Sequence, residues 1–415
     1  MTPVATVDGH PIATPFDWTL RLARRDGTPV SVTLEGRAEN LECPPDEIPI
    51  ADATELIREG ASVPVRWTCL RGGAILTIDA PAETRGGLEC ETTAYPLIAS
   101  DANRISPGEP RDVDPGSYVI LVGAPGFETQ RFLVKVDRGR DVEAHVTLLA
   151  EGSTPPGYVY VPPGPFVEGG DPDAFRPRGG REVDVEGFFL ARRELTNREW
   201  YEFVNDPATL ARIADAKPGE HLYLPQDDRV LAQRDPNGPG YVFDVYGATT
   251  PESPVLGLTW TDVRDYLEWR NARAEARGEA WRYTLPTESQ WEKAARGVDE
   301  RRFTWGYRFD TSLAVCLVRQ DTYLLDAPGG HEPRDESPYG VLDMAGSREE
   351  WLLDAVEDVE PPRYRKRGGH WGSKVETVFR AASRGEASQD RFASSQGVRL
   401  VAVRADPSRA LIAPR

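Results

Sequence analysis

Apolar and polar residues alternate in short runs along the first part of the chain. Between residues 16 and 80 these runs are WTLRLARR, VSVTLEG, VPVRWTCL and AILTIDA, and Gly, Pro and Asp lie between them. Alternation places every second side chain on one face of an extended strand, and the separating residues favour turns. The pattern therefore predicts an all-β, sandwich-like region of short strands in the N-terminal part.

Longer alternating runs follow in residues 104–149. They are SYVILVGA, RFLVKVD and VEAHVTLL, with Pro-Gly or Arg-Gly turns between them. This pattern predicts an antiparallel β-meander with one buried face. The turns Asp114–Tyr118 and Ala124–Phe127 resemble those of the PEGA module, a small β-sandwich. The resemblance implies a structural spacer or a binding domain rather than a catalyst.

Helical periodicity predicts three helices in the second part of the chain, in residues 196–206, 259–278 and 286–297, while residues 53–60 could form one or two helical turns. Thr196 stands at the start of the first segment as an N-cap. The second segment ends at Gly278, a residue that favours a helix C-terminus. The third begins with Thr287, has Gln290 three residues later and stops at Gly297, so it is predicted to carry a capping box.

A polar linker, EGSTPPG, separates the two parts, and tryptophan becomes common only after it. The predicted organisation is a flexible N-terminus (1–15), a region of short strands (16–71), a PEGA-like β-sandwich (72–150), the linker (151–157), an α+β domain (158–405) and a flexible tail (406–415).

Composition and charge narrow the classes of function. The 415 residues carry a formal net charge of −18. Such a charge argues against a general nucleic-acid-binding surface, which has to be basic to neutralise phosphates. The first residues lack the basic and apolar regions of a secretory signal, and no apolar stretch is long enough to span a membrane. We therefore expect a cytoplasmic protein with no nucleic-acid or membrane partner.

The cysteines and histidines form no familiar site. Cys43, Cys69, Cys90 and Cys316 include no C-x-x-C pair, which argues against a zinc knuckle or a thioredoxin-type centre. Two of the first three cysteines could form a disulfide, and the alternative is that all three are reduced. P-loop, H-E-x-x-H, G-x-S-x-G and protein-kinase motifs are also absent from the sequence.

An ordered series of motifs fills the second part of the chain. In chain order these motifs are VYVPPGPF, GGD, FFLARRELTNREWYEFVN, PVLGLTWTDVRDYLEW, YTLPTESQWEKAARG, FTWG, YGVLDMAGSREEWLLD, RGGHW, FRAASR and GVRLVA. Their order and spacing resemble the formylglycine-generating-enzyme (sulfatase-modifying-factor) family over about 245 residues. The resemblance implies a C-type-lectin-like α+β fold with little regular structure. Most motif residues, such as Trp291 and Arg296, then serve the fold.

The same resemblance bears on chemistry. The oxidising members of that family use two cysteines that hold copper after an R-G-G-S-W-type turn. In this chain Ser373 and Val378 stand at those two positions, and His370 replaces the serine. A hydroxyl and an isopropyl group are not the soft ligands that select monovalent copper. We therefore expect no copper and no formylglycine-type oxidase activity. The iron-type members carry a His-x-x-x-His-x-Glu arrangement, which the scattered histidines do not provide.

The calcium-binding segment that the family implies, G-N-x-W-E-W, is also altered. Here it reads Gly346-Ser-Arg-Glu-Glu-Trp351, so Ser347 replaces the asparagine ligand. The candidate ligands for a structural calcium ion are Glu349, Glu350 and Asp354, because hard cations need several converging oxygens. The alternative for these carboxylates is a solvated acidic face.

These replacements predict a non-catalytic binding or regulatory protein with a protein partner. The order of a PEGA-like sandwich and this domain resembles the C-terminal half of certain bacterial Ser/Thr protein kinases, which suggests an adaptor in signalling or defence. The candidate binding groove comprises His370, Trp371, Ser373, Glu349, Arg380, Arg384 and Trp305.

Two alternatives stay open at the level of sequence. One is an enzyme with altered chemistry in the same groove, using Ser373, His370 and Glu349 together with Arg380 or Arg384. The other is a displayed, variable ligand-binding protein on the same fold, with variation centred on residues 372–385.

Overall fold

The computed structural model describes side chains in residues 106, 108–217, 222–225, 232–242, 250–311, 313–316, 335–392 and 395–405. Before residue 106 it gives the backbone of the strands below. The predicted flexible ends at residues 1–15 and 406–415 fall wholly or mainly outside this described part. So do the side chains of Cys43, Cys69 and Cys90.

Strands over the first hundred residues form small sheets. Strand β3 pairs with β4 in antiparallel fashion, β4 pairs with β6 in parallel, and β5 pairs with β7. The bounds are β1 Thr6–Val7, β2 His10–Pro11, β3 Phe16–Ala23, β4 Pro29–Gly36, β5 Glu47–Asp52, β6 Ser62–Pro64, β7 Arg66–Arg71, β8 Ala74–Asp79, β9 Arg85–Cys90 and β10 Arg104–Ile105.

Two sheets then face one another. Strands β10, β9, β12 and β13 form one sheet, and β11, β8 and β14 form the other. The four new strands are β11 Arg111–Val113, β12 Gly116–Gly123, β13 Gln130–Val136 and β14 Val142–His145. Tyr118, Ile120, Phe132 and Val134 are buried between the sheets.

The predicted meander is confirmed for β12 and β13, which pair antiparallel along their length. It is wrong for β14, which pairs in parallel with β8 in the facing sheet. Val142 and Ala144 of β14 pack on the same core as Ile120 of β12. An alternating run can bury its apolar face from either sheet of a sandwich, so the pattern alone does not choose its partner strand.

The second face of β12 and β13 packs against the C-terminal domain. Val119 and Leu133 belong to one hydrophobic cluster with Trp291, Ala294 and Ala295. Burial on both faces explains why YVILV is nearly continuous in apolar residues rather than strictly alternating. The N-terminal sandwich is therefore docked on the α+β domain through a shared core.

The C-terminal domain has mixed sheets and few helices. One sheet has the order β15-β18-β26-β21, so the first strand of the domain joins the last through β18. The other has the order β24-β23-β22-β25. The bounds are β15 Tyr158–Val161, β16 Gly164–Glu168, β17 Arg181–Val185, β18 Phe188–Ala191, β19 Ala232–Arg234, β20 Tyr241–Phe243, β21 Trp281–Thr284, β22 Glu349–Ala355, β23 Arg363–Arg367, β24 Gly385–Ser388, β25 Gln396–Gly397 and β26 Val401–Arg404.

The three predicted helices are confirmed. They are α1 Asn197–Val204, α3 Trp260–Ala276 and α4 Glu288–Arg296, and Thr196, Thr259 and Thr287 close a capping box at each N-terminus. A further helix, α2 Pro207–Ala214, follows α1 and was not predicted. Its signal was present, because Asp206 caps it and a proline occupies the first turn. Within the described residues, no helix has the length and apolarity needed to cross a bilayer.

Buried indoles hold the irregular segments of the domain together. The Trp200 indole donates to the Tyr223 carbonyl at 2.9 Å, and the Trp351 indole donates to the Leu258 carbonyl at 3.0 Å. The Trp291 indole donates to the Glu350 carboxylate at 2.6 Å. Each large ring fills the core while its N–H group satisfies a loop or strand acceptor, which is how a core forms with little regular structure.

Candidate functional site

The site is built on the turn that follows β23. Gly368 and Gly369 both have positive φ, and a Cβ at Gly369 would lie 3.0 Å from the Val378 carbonyl oxygen. Glycine is required here because the backbone closes on itself with a left-handed conformation. The Trp371 N–H donates to the Ser347 carbonyl at 2.9 Å, so the turn lies against the segment before β22.

Ser373 and Val378 lie within this turn. The Ser373 N–H donates to the His370 carbonyl at 2.9 Å, and Val378 belongs to a 3-10 turn over Glu376–Phe379. Val378 packs on a small hydrophobic cluster that includes the buried Cys316. This proximity could not be predicted from the sequence, because Cys316 lies 62 positions before Val378.

These residues do not fit the copper ion that the family resemblance implies. One buried thiol, that of Cys316, is in the cluster, and positions 373 and 378 offer no sulfur. A two-thiolate site needs a second cysteine within bonding reach of the same ion. No catalytic step through copper is therefore derived for this chain.

The structure brings His370 and Glu349 into electrostatic contact. Burial lowers the pKa of His370, and the nearby Glu349 charge opposes that effect. The His370 Nδ1 atom accepts from the Gly372 N–H at 3.2 Å, while the Glu349 carboxylate accepts from the Lys366 ammonium at 2.6 Å. His370 is therefore a neutral ring at neutral pH, with one nitrogen used by the turn itself.

Four predicted groove residues remain, and three of them, Arg380, Arg384 and Trp305, donate hydrogen bonds to other parts of the domain. The Arg380 guanidinium donates to both Asp171 oxygens at 2.9 Å and to Glu376 at 2.8 Å. The Arg384 guanidinium donates to Glu288 at 2.6 and 2.9 Å. These bonds tie loops to the body of the domain. The last two predicted residues are aromatic: Trp305 stacks on Phe303 and donates to the Arg308 carbonyl, while the buried Trp371 indole N–H has no hydrogen-bond partner among the described residues.

The three candidate calcium ligands all lie on β22. Glu349 and Glu350 are successive residues of the strand and so face opposite sides, and an irregularity in the pairing between Trp351 and Ala355 interrupts the strand before Asp354. The Asp354 carboxylate accepts from the Glu288 N–H at 2.6 Å. Among the residues with described side chains, no three His, Cys, Asp or Glu residues are grouped so that they could hold a metal ion.

Fixed cations occupy the surroundings of Glu350. The Arg399 guanidinium binds both Glu350 oxygens at 2.7–3.1 Å, and both side chains are fully buried. The Ser347 hydroxyl donates to Glu194 at 2.8 Å, and the buried Arg348 guanidinium donates to the Ser347 carbonyl. Burial raises the pKa of Glu194 well above its usual range, and the Glu350 charge adds to the effect. Because protein donors already bond oxygens of Glu349, Glu350 and Asp354, these three residues do not fit a calcium site.

A buried carboxyl nearby makes stability depend on pH. Burial raises the pKa of Asp335 to about 6, from 3.8, although Thr304 and the Ala345 N–H donate to it. The folded state thus holds this proton to higher pH than the unfolded chain does. The resulting stability is fully present below the unfolded pKa and is lost as pH rises through about 6.

We expect Asp335→Asn to flatten this part of the pH profile. In the native chain the group removes about 3 kcal/mol of stability between about pH 4 and about pH 7, and the asparagine variant loses that contribution to the slope. Denaturant unfolding at several pH values in this range measures the difference. Parallel profiles for the two proteins would contradict the assignment.

Comparison with known proteins identifies the class to which this fold and site belong. A family model described as a sulfatase-modifying factor enzyme 1-like domain matches residues 146–404. The match covers more than half of the 415 residues, so the chain belongs to this family.

Individual relatives carry different names. The chain is 28% identical over 230 residues to the formylglycine-generating enzyme of Thermomonospora curvata, covering 48% of this chain and 71% of the relative. It is 27% identical over 246 residues to the inactive C-alpha-formylglycine-generating enzyme 2 of Mus musculus, covering 52% and 74%. It is also 27% identical over 259 residues to the serine/threonine-protein kinase pkn1 of Chlamydia pneumoniae, covering 56% of this chain and 37% of that protein. The similarity thus extends to proteins named as enzymes and to proteins named as inactive.

Proposed function

We propose that this chain is a non-catalytic binding protein, a family member that keeps the fold and has lost the oxidase chemistry. The observation that carries the proposal is the turn after β23, where Ser373 and Val378 stand at the positions that the resemblance gives to the two copper-binding cysteines. A relative named as inactive at 27% identity supports the same conclusion.

An altered enzyme in the same groove receives less support. That alternative uses Arg380 or Arg384 on a substrate, and the guanidinium groups of both are held by Asp171, Glu376 and Glu288. Both side chains are also largely buried, at 7% and 18% exposed, and each uses two of its nitrogens in these bonds, so they present little to a substrate. The groove residues therefore stabilise a fixed surface, which suits recognition of a partner.

The setting that we propose is a bacterial signalling or defence pathway in the cytoplasm. The similarity to a protein named as a serine/threonine kinase supports a signalling role. The proposed architecture is an all-β N-terminal region, including a PEGA-like sandwich, followed by a C-type-lectin-like α+β domain. The docked core formed by Val119, Leu133 and Trp291 supports a rigid arrangement of the sandwich and the domain.

Copper binding tests the proposal. We expect the native chain and a Ser373→Ala/Val378→Ala variant to withdraw the same amount of Cu(I) from a coloured chelator, because neither has thiolates in the turn. Ser373→Cys/Val378→Cys is the positive control, and it is expected to take up an additional ion. The other cysteines are present in all three proteins, so the difference reports the turn alone. A loss of copper in the alanine variant would overturn the proposal.

A further inference from the structure

Six arginine side chains form a continuous surface beside the start of α4. We call it the arginine surface, and it consists of Arg176, Arg178, Arg181, Arg363, Arg365 and Arg384. It joins the loop after β16, the start of β17, strand β23 and the segment before β24. The proposed groove function does not account for this set, which shares only Arg384 with the groove.

Three of these guanidinium groups converge on one carboxylate. Glu386 is bonded by Arg365 at 2.7 Å, by Arg176 at 3.3 Å and by Arg363 at 3.4 Å. One carboxylate can neutralise only one of them. The remaining positive charge is held in place by the bonds to Glu386 rather than dispersed on free side chains.

The other three guanidinium groups surround two further carboxylates. Arg181 and Arg178 bond Glu168 at 2.7 and 3.4 Å. Arg384 bonds Glu288, and the Arg365 charge also contributes to lowering the pKa of Glu288. The arginines around Glu386 and those around Glu168 and Glu288 therefore all lie beside the first residues of α4, where their charges influence the same carboxylates.

The charges are layered, with cations outside and carboxylates inside. The Arg181 side chain is 52% exposed and Glu168 beneath it is 2% exposed, while Arg176 is 51% exposed and Glu386 is 20% exposed. Burial alone would raise the pKa of both carboxyls, but hydrogen bonds from Ser289 and Arg181 lower the pKa of Glu168 and the Arg384 bond lowers that of Glu288, so both are ionised at neutral pH. The six guanidinium groups outnumber the three carboxylates that they bond by three, on a chain whose net charge is −18.

An exposed aromatic ring lies within this surface. Phe175 is 46% exposed, and the Arg176 guanidinium lies 5.6 Å from its ring centre. The Phe175 backbone is fixed on both sides, because its N–H donates to the Ser383 hydroxyl at 3.0 Å and its carbonyl accepts from the Arg384 N–H at 3.0 Å. The surface thus offers cations and one apolar contact on a prepared scaffold.

We infer that the arginine surface binds an acidic peptide segment of a partner protein, with an apolar residue of that segment against Phe175. The inference rests on the proposed binding function and names its partner chemistry. Guanidinium groups bind carboxylates with two parallel hydrogen bonds, and groups that are already positioned lose little freedom on binding. The strong negative charge of the rest of the chain repels an extended polyanion such as a nucleic acid, while a short acidic segment contacts the local patch alone.

The test is titration of a fluorescein-labelled peptide, Glu-Glu-Glu-Glu-Leu-Glu-Glu-Glu-Glu, into the full chain by fluorescence anisotropy. We expect saturable binding that weakens with added salt, and no binding of a matching peptide with glutamine in place of each glutamate. Arg181→Glu/Arg363→Glu should weaken binding by about tenfold or more. The matched control is Arg198→Glu/Arg277→Glu, which changes the net charge equally at exposed positions outside the arginine surface and should leave the affinity unchanged. Equal thermal melting of both variants shows that they fold.

Each other outcome overturns the inference. These outcomes are no peptide binding, an equal loss in the control variant, or tighter binding of a single-stranded oligonucleotide of the same charge. Self-association of the native chain that Arg181→Glu/Arg363→Glu abolishes would assign the surface to a second copy instead. None of these results restores copper ligands to the turn, so the non-catalytic proposal fails or survives separately on the Cu(I) titration.

Discussion

Replacing Arg399 by methionine is expected to lower the free energy of unfolding by about 3–5 kcal/mol. The Arg399 guanidinium binds Glu350 and donates to the carbonyls of Ala191 and Leu342, all inside the core. Methionine has a similar length and no charge, so Glu350 is left buried without a cation. The loss is measured by denaturant unfolding at neutral pH.

Two companion variants separate the charge from the packing. Arg198→Ala removes an ion pair with Glu252 that is largely exposed and screened by solvent, and it should leave the free energy of unfolding nearly unchanged. Arg399→Met/Glu350→Leu removes both charges and should recover much of the loss, because a buried pair often equals a hydrophobic replacement in stability. If Arg399→Met were as stable as the native chain, the buried pair of Arg399 and Glu350 would not contribute to the stability of the core.

Replacing Gly297 by alanine is expected to weaken the docking of the N-terminal sandwich and to destabilise the chain by roughly 2 kcal/mol or more. Gly297 ends α4 with φ 66° and ψ −146°, a conformation that is essentially reserved for glycine. A Cβ there would also clash with the Leu133 Cδ2 atom of β13. Backbone strain and the displaced leucine therefore act together, and thermal unfolding measures their sum.

A double-mutant cycle shows whether the contact with β13 is real. Leu133→Ala alone should cost about 2–5 kcal/mol through the cavity that it leaves. Gly297→Ala/Leu133→Ala should cost less than the sum of the single variants by about 0.5–3 kcal/mol, because the smaller side chain no longer meets the new methyl group. Strict additivity would mean that β13 does not pack on the end of α4.

Local signals predicted much of the regular structure. Thr196 and Thr287 marked helix starts because a threonine hydroxyl replaces a missing backbone partner, and the structure shows both capping boxes. The β12 and β13 pairing followed from alternation and a short turn. Helix α2 was not predicted, although Asp206 as an N-cap and Pro207 in the first turn are both typical of a helix start. The partner of β14 could not be chosen, because both sheets of a sandwich satisfy the same apolar pattern.

Less of the candidate site than of the fold could be predicted from the sequence. The motif series located the turn and showed what Ser373 and Val378 replace, because those observations concern neighbouring residues. The partners of the arginines did not follow in the same way: Arg380 reaches Asp171 from 209 residues away, and Arg384 reaches Glu288 from 96 residues away. The tertiary fold brings such distant residues together, so their pairing cannot be predicted from the spacing of charged residues along the chain.

The most direct test of the central claim is oxidation of a cysteine-containing substrate peptide. The full chain is incubated with Cu(I), oxygen, a reducing agent and the peptide, and mass spectrometry follows conversion of the cysteine to formylglycine, with the Thermomonospora curvata relative as the positive control. We expect the control to convert the peptide and this chain to leave it unchanged, because its turn has no thiolates to hold copper. Any conversion by this chain above the background of copper without protein would contradict the claim.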